Sequence, residues 1–246
     1  MCLLIVYETD TVYYNGPMKQ NIMLSVSKRL VVPLLTFGIL GCHNNQKSSI
    51  DYEAIFMEHY NDRVNLFIEE NKTAKDVDVV FLGDSLTEYY DVVKYYPEFN
   101  VLNRGIGGDT SFGVEKRLKE SVYDANPKVT AMLIGANNQN SLMDNYEKIL
   151  QSFKQNAPDM KVVLLSLTSM TDYWGEFNQK AKENNVKIKE YANTYSYEFV
   201  DLYDPLLDEN TGELKSEYTI DGGHLTDKGY EIVTNQIKPV LHKLLK

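Results

Sequence analysis

At 246 residues the chain is long enough for one domain with its own apolar core, or one domain plus a tail. It is 43% hydrophobic and 11% aromatic and carries no internal repeat or low-complexity block, which excludes a fibrous or disordered protein. A formal charge of −10 with no basic stripe to offset it excludes a nucleic-acid partner.

The first 41 residues read as a segment apart from the fold. Lys28 and Arg29 precede an apolar stretch at 30–40 that ends in Ile39-Leu40-Gly41-Cys42. A positive segment, an apolar core of about 10 residues and a small residue at the cut describe a secretory signal. The core falls well short of the roughly 20 residues that span a bilayer. A cysteine directly after the small residue resembles a bacterial lipobox, which implies Cys42 as the lipid-bearing first residue of an exported lipoprotein, held in the periplasm or at the cell surface. The polar stretch at 42–50 is then its tether. Signals seldom lie so far from the start, so initiation at Met18 or Met23 is expected. The alternative for the same residues is an N-terminal strand with a buried helix. Cys2 would leave with the signal and Cys42 would carry lipid, so no disulfide is expected.

From residue 51 strands alternate with helices. Tyr52, Ile55, Phe56, Tyr60, Val64 and Phe67 recur at helical spacing over 51–70. The apolar run at 77–82 is a first strand, and Gly83 ends it. A second strand is predicted near 100–103, a helix at 111–121, and a third strand at 129–134. The next helix carries Leu142, Tyr146, Ile149, Leu150 and Phe153. A fourth strand at 162–167, a polar helix at 176–197 and a fifth strand at 199–202 follow. The last helix bears Tyr230, Val233, Ile237, Val240, Leu241 and Leu244, with Pro239 as a potential kink. Continuous apolar runs rather than period-two alternation indicate a parallel sheet covered on both faces, in a single three-layer α/β/α domain over 51–246.

In such a sheet the strand ends that precede helices share one edge. Three of them carry polar or glycine-rich turns: Gly83-Asp84-Ser85, Gly105-Ile106-Gly107-Gly108-Asp109 and Gly135-Ala136-Asn137-Asn138. Ser85 is placed to expose its hydroxyl at that edge, but a serine hydroxyl is a weak nucleophile without a base. Of four histidines, His43 sits in the tether, His59 beside the apolar stripe of the first helix, and His242 in the final turns. That leaves His224 in Asp221-Gly222-Gly223-His224-Leu225, with Asp221 three residues earlier to fix its tautomer. The Ser85 and Gly108 amides and the Asn137 side chain are candidate oxyanion donors. The same residues also fit plainer roles, Gly107-Gly108 as a turn and Asn137-Asn138 as a helix cap.

These four blocks, in this order from about 77 to 230, resemble the SGNH hydrolases, the GDSL-like lipases and acylhydrolases, with motifs closest in style to their platelet-activating-factor acetylhydrolase-like branch. The resemblance implies Ser85 as nucleophile, Asp221 and His224 as its triad partners, and Gly108 and Asn137 as oxyanion donors beside the Ser85 amide. It implies a five-stranded parallel, flavodoxin-like sheet, no metal or other cofactor, and hydrolysis of an ester or related acyl bond. Asn138 stands where the third block commonly has aspartate, a departure that this branch tolerates.

The substrate side is open. Tyr173, Trp174 and Asn138 are candidate substrate contacts, with packing of the following helix as the other reading for Trp174. Tyr89, Tyr90, Tyr95 and Tyr96 fit either a carbohydrate site or ordinary covering of the sheet. Without a long apolar insertion to form a lid, a short-acyl esterase is expected, acting on acetyl esters with acetylated glycan as one substrate class. The alternatives are a lysophospholipase or thioesterase, and a surface glycan-binding module without catalysis. The only membrane contact expected is the lipid on Cys42.

Overall fold

Val79–Gly83 (β1), Val101–Gly105 (β2), Val129–Leu133 (β3), Lys161–Leu165 (β4) and Glu198–Val200 (β5) pair in parallel in the order β2-β1-β3-β4-β5. The computed structural model describes residues 51–246 and, upstream, the backbone of three short antiparallel strands at Ile5–Val6, Thr11–Tyr13 and Met23–Ser25. The expected signal stretch at 30–40, Cys42 and the tether at 42–50 lie outside the described residues.

Every residue of β1 and β3 is buried. Alternate side chains of a strand point to opposite faces, so both faces of the sheet are covered, as the unbroken apolar runs predict. Eight α-helices lie among the described residues: Tyr52–Asn71 (α1), Ser85–Glu88 (α2), Val92–Tyr95 (α3), Ser111–Lys116 (α4), Tyr146–Asn156 (α5), Asn178–Tyr195 (α6), Tyr203–Leu206 (α7) and Asp227–Leu244 (α8). Pro239 lies inside α8 without ending it. A short hairpin, Leu207–Asp208 with Glu213–Leu214, which the sequence pattern does not anticipate, follows α7.

The register brings the carboxyl ends of three strands level. Gly83 pairs with Gly105 on one side and with Leu133 on the other, and the Ile106 amide donates to the Gly83 carbonyl at 3.1 Å. Gly105 is obligatory here, because a Cβ would come within 2.1 Å of the Glu88 amide nitrogen. Asn103 closes the same joint. Its side-chain amide donates to the Thr87 and Tyr90 carbonyls at 2.6 and 3.0 Å, which satisfies the end of α2.

One expectation needs correction, and two others are made more definite. The predicted helix at 111–121 is α4 followed by a π-helical turn, Lys119–Tyr123, because the chain bends where Arg117 turns inward. The helix α1 is amphipathic as predicted, yet only Phe67 of its apolar face is fully buried. Polar bonds dock it instead: Tyr60 Oη to the Gly113 carbonyl, Arg63 to the Gly105 carbonyl and Asn71 to the Glu120 carbonyl. Finally, Tyr90, Tyr95 and Tyr96 are buried and belong to the core rather than to a carbohydrate site. Tyr90 stacks on Tyr230 at 4.8 Å, and its hydroxyl bonds those of Tyr96 and Thr234, so the polar tips are satisfied within the packing.

Arg117 is the largest buried polar commitment near the strand ends. Its guanidinium donates to the carbonyls of Gly83 and Arg104, to Ser121 Oγ and to the Asp109 carboxylate, each within 2.9 Å. Replacing one partner of such a buried pair leaves an uncompensated charge. Arg117→Met is therefore expected to lower unfolding stability by about 3–5 kcal/mol, measured by urea denaturation. A loss under about 1 kcal/mol would show that the guanidinium is not holding these groups.

Candidate active site

The site starts at the β1–α2 junction. Asp84 caps α2, its Oδ1 accepting from the Leu86 amide at 3.1 Å, and the next residue is Ser85. Ser85 Oγ bonds His224 Nε2 at 2.9 Å, and His224 Nδ1 bonds Asp221 Oδ2 at 2.7 Å. With a carboxylate facing Nδ1, the proton of the neutral imidazole sits on that nitrogen, and Nε2 is left to accept from the serine. The other carboxylate oxygen, Asp221 Oδ1, accepts from the amides of Gly223 and His224, so one side chain fixes both the ring and its loop. That loop is tied down further. Thr219 Oγ1 donates to the His224 carbonyl at 2.8 Å, and the Gly222 carbonyl accepts from the Thr171 amide at 2.8 Å.

The two neighbouring strand ends complete the edge. Ile106 to Asp109 forms a turn closed by the Asp109 amide on the Ile106 carbonyl, with Gly108 at φ 77°. A side chain at that φ is strained, so glycine is the natural occupant. Among the described residues neither the Ser85 nor the Gly108 amide donates to a protein acceptor. Asn137 Nδ2 donates one proton to the Asp109 carbonyl at 2.9 Å, which orients its second N–H. Asp109 itself is held by Arg117 at 2.8 Å. Burial pushes the Asp109 carboxyl up, and the guanidinium opposes that push.

Beside these donors lies a cleft of about 560 Å³. Phe56 and Met57 of α1, Phe112 of α4, and Trp174 and Phe177 make its apolar walls, and Gly108, Asn137 and Asn138 its polar floor. Trp174 thus borders the cleft and also packs under the histidine loop, where a Cβ on Gly223 would meet its ring at 3.4 Å. Asn138 shares the lining, but both ends of its amide are engaged by Ser111 of α4. Tyr173 is exposed, lies outside the lining and meets Trp174 edge to face at 5.3 Å. Tyr89 sits 5.7 Å from the His224 ring, and Cys42 lies outside the described residues.

Residues 81–232 match the GDSL-like lipase/acylhydrolase family, which is more than half of the sequence and spans all four motif blocks. The chain belongs to this family. It is an SGNH-type hydrolase with platelet-activating-factor acetylhydrolase-like relatives. Human platelet-activating factor acetylhydrolase IB subunit alpha2 is 27% identical over 197 residues, covering 74% of this chain and 83% of its own. A solved structure from Streptococcus pneumonia superposes with TM-score 0.70 at 28% identity, over 77% of this chain and 96% of that one. A GDSL-like lipase from Bacteroides thetaiotaomicron gives TM-score 0.65 at 26% identity, over 73% and 97%.

Two contributors to the site have no periodic signature in the sequence, Arg117 and Glu88. Each is a charged residue beside an apolar segment, and each acts on backbone groups that only the fold brings near.

Asp84 carries a measurable electrostatic cost. Full burial pushes its carboxyl from 3.8 up to about 6, against the pull of the Leu86 amide and of His224. Between those two values the folded chain keeps a proton that the unfolded chain releases, so stability falls as pH rises through this window. The cost is complete above about pH 6 and amounts to roughly 3 kcal/mol. Asp84→Asn retains an acceptor for the Leu86 amide, and is expected to stabilise the protein by about 2 kcal/mol at pH 8 and hardly at pH 4. Denaturation midpoints at the two pH values check this; equal effects at both would contradict it.

Proposed function

We propose that this hydrolase is a serine esterase working through an acyl-enzyme, with short acyl esters, acetyl above all, as substrates. The observation that carries the reading is the unbroken chain Ser85 Oγ, His224 Nε2, His224 Nδ1, Asp221 Oδ2, with links of 2.9 and 2.7 Å, beside free amides at two strand ends. In the first step His224 Nε2 takes the Ser85 proton as Oγ attacks the ester carbonyl, and Asp221 steadies the imidazolium. The Ser85 and Gly108 amides and Asn137 Nδ2 receive the negative charge on the carbonyl oxygen. The imidazolium then protonates the departing alcohol. Water, deprotonated by the same nitrogen, releases the acid and restores Ser85.

The acetyl preference draws on the name of the human relative, an acetylhydrolase sharing 27% of residues. The aromatic cleft is far larger than an acetyl group and suits a ring-bearing alcohol, including a sugar carrying the ester, stacked on Trp174. The same apolar walls favour one competing reading, a long acyl chain lying in the cleft as in a lysophospholipase.

Ser85→Ala is expected to abolish hydrolysis of p-nitrophenyl acetate while leaving the fold intact, and Asn137→Ala to lower kcat by about 10²–10³-fold. Wild-type-like turnover by Ser85→Ala, or absence of Ser85 labelling by a fluorophosphonate probe in folded protein, would overturn the mechanism. Rates across p-nitrophenyl esters of graded length are expected to fall with chain length. A preference for eight or more carbons would replace acetyl with the long-chain reading.

We also propose that the enzyme is exported as a lipoprotein carrying lipid on Cys42, on the strength of the charge, apolar core and Gly41-Cys42 junction. Cys42→Ser is then expected to shift esterase activity from the membrane fraction to the soluble fraction; unchanged partitioning would reject the anchor.

A further inference from the structure

The oxyanion turn has an unusual weakness. Its two central residues are both glycine, so no side chain fixes the frame of Gly107, from which the direction of the following Gly108 amide is set. Something outside the turn must hold it.

Glu88 is placed to do so. It is the last residue of α2, the helix that Ser85 begins, and its side chain is mostly buried. Glu88 Oε2 accepts from the Gly107 amide at 2.5 Å and from His59 Nε2 at 3.0 Å. Glu88 Oε1 lies 3.7 Å from Arg63 Nε. Arg63 in turn donates to the Gly105 carbonyl through Nε at 3.1 Å and Nη2 at 2.9 Å, so it grips the residue where β2 enters the turn. The cluster thus joins three elements: α1 through His59 and Arg63, the nucleophile's helix through Glu88, and the oxyanion turn through Gly105 and Gly107. Burial pushes the Glu88 carboxyl up, but His59, Arg63 and the Gly107 amide together bring it below the ordinary range, so the acceptor is anionic and strong.

We propose that Glu88 is a positioning residue for ester hydrolysis: by holding the Gly107 amide from the helix that bears Ser85, it sets the Gly108 amide against the serine, with His59 and Arg63 holding the carboxylate in place. The proposal rests on the serine-esterase reading above. It also gives His59 a task, since its ring serves the acceptor rather than merely filling the face of α1.

The test compares Glu88→Ala with Glu88→Gln in the full chain on p-nitrophenyl acetate. Glu88→Ala is expected to lower kcat about 10–100-fold with KM within twofold, because the loss falls on the developing oxyanion rather than on substrate binding. Glu88→Gln keeps a carbonyl oxygen for the Gly107 amide and is expected to recover most of kcat. If the alanine variant does not fold, Glu88→Met fills the same space without an acceptor and serves in its place. A folded Ala or Met variant with kcat within twofold of wild type would overturn the proposal. So would a Gln variant as slow as the Ala variant. Failure of the underlying reading is seen separately, as wild-type-like hydrolysis by Ser85→Ala, and would overturn the proposal too, since no oxyanion turn would then need placing.

Discussion

The sheet edge that carries Ser85 depends on one buried guanidinium. Arg117 takes the carbonyl of Gly83 just before the Ser85 turn, the carbonyl of Arg104 just before the glycine turn at 106–109, and the carboxylate of Asp109 at that turn's far end. Those three groups belong to segments that β pairing alone brings only as far as their last ladder bonds. Beyond Gly83 and Gly105 the ladder ends: the Gly83 carbonyl still accepts from the Ile106 amide, but buried groups there call for further donors. A planar, five-donor side chain can satisfy several of them at once, which a lysine could not. The cost is a helix that cannot run straight: α4 stops before Arg117, and the chain resumes as a π-helical turn.

From this anchor the donors follow in sequence. Arg117 holds Asp109, the Asp109 carbonyl orients Asn137, and Asn138 fastens the same turn to α4 through Ser111. This side of the site is therefore a chain of short polar bonds, running from the buried Arg117 and Asp109 out to the exposed Asn137. Such preorganisation matters because donors that need not rearrange during reaction stabilise charge more effectively than water does.

The architecture was legible from residues 77 to 246 because strands buried on both faces must be apolar at every position, as β1 and β3 are. As candidates, Ser85, Gly108 and Asn137 could be singled out because polar and glycine-rich turns at strand ends carry them, and Asp221 and His224 because only one histidine lay in a suitable turn. The tyrosines between 89 and 96 were ambiguous for a physical reason. A phenol suits a sugar and a half-polar core equally well, and only the position of Thr234 on α8 decides for Tyr90. Glu88, Arg63 and Arg117 were illegible because their partners are backbone groups at other strand ends, and backbone leaves no trace in residue type. The polar docking of α1 left no trace for the same reason: Tyr60, Arg63 and Asn71 reach carbonyls.

The base side is built on a different principle. His224 stands on a surface loop without regular structure, fixed by its own Asp221 and Thr219 and by one backbone bond from Thr171. Trp174 lies under Gly223 on one side and lines the cleft on the other. A group stacked against that indole would therefore press on the loop that carries His224, whereas the Arg117 guanidinium is buried beneath the turn at 106–109. Contact with the non-reacting part of a bound molecule could then reach the histidine loop through Trp174. The two sides thus differ in their support: Ser85 and the turn at 106–109 hang on the sheet and on Arg117, and His224 on a loop held by its own side chains between a hairpin and α8.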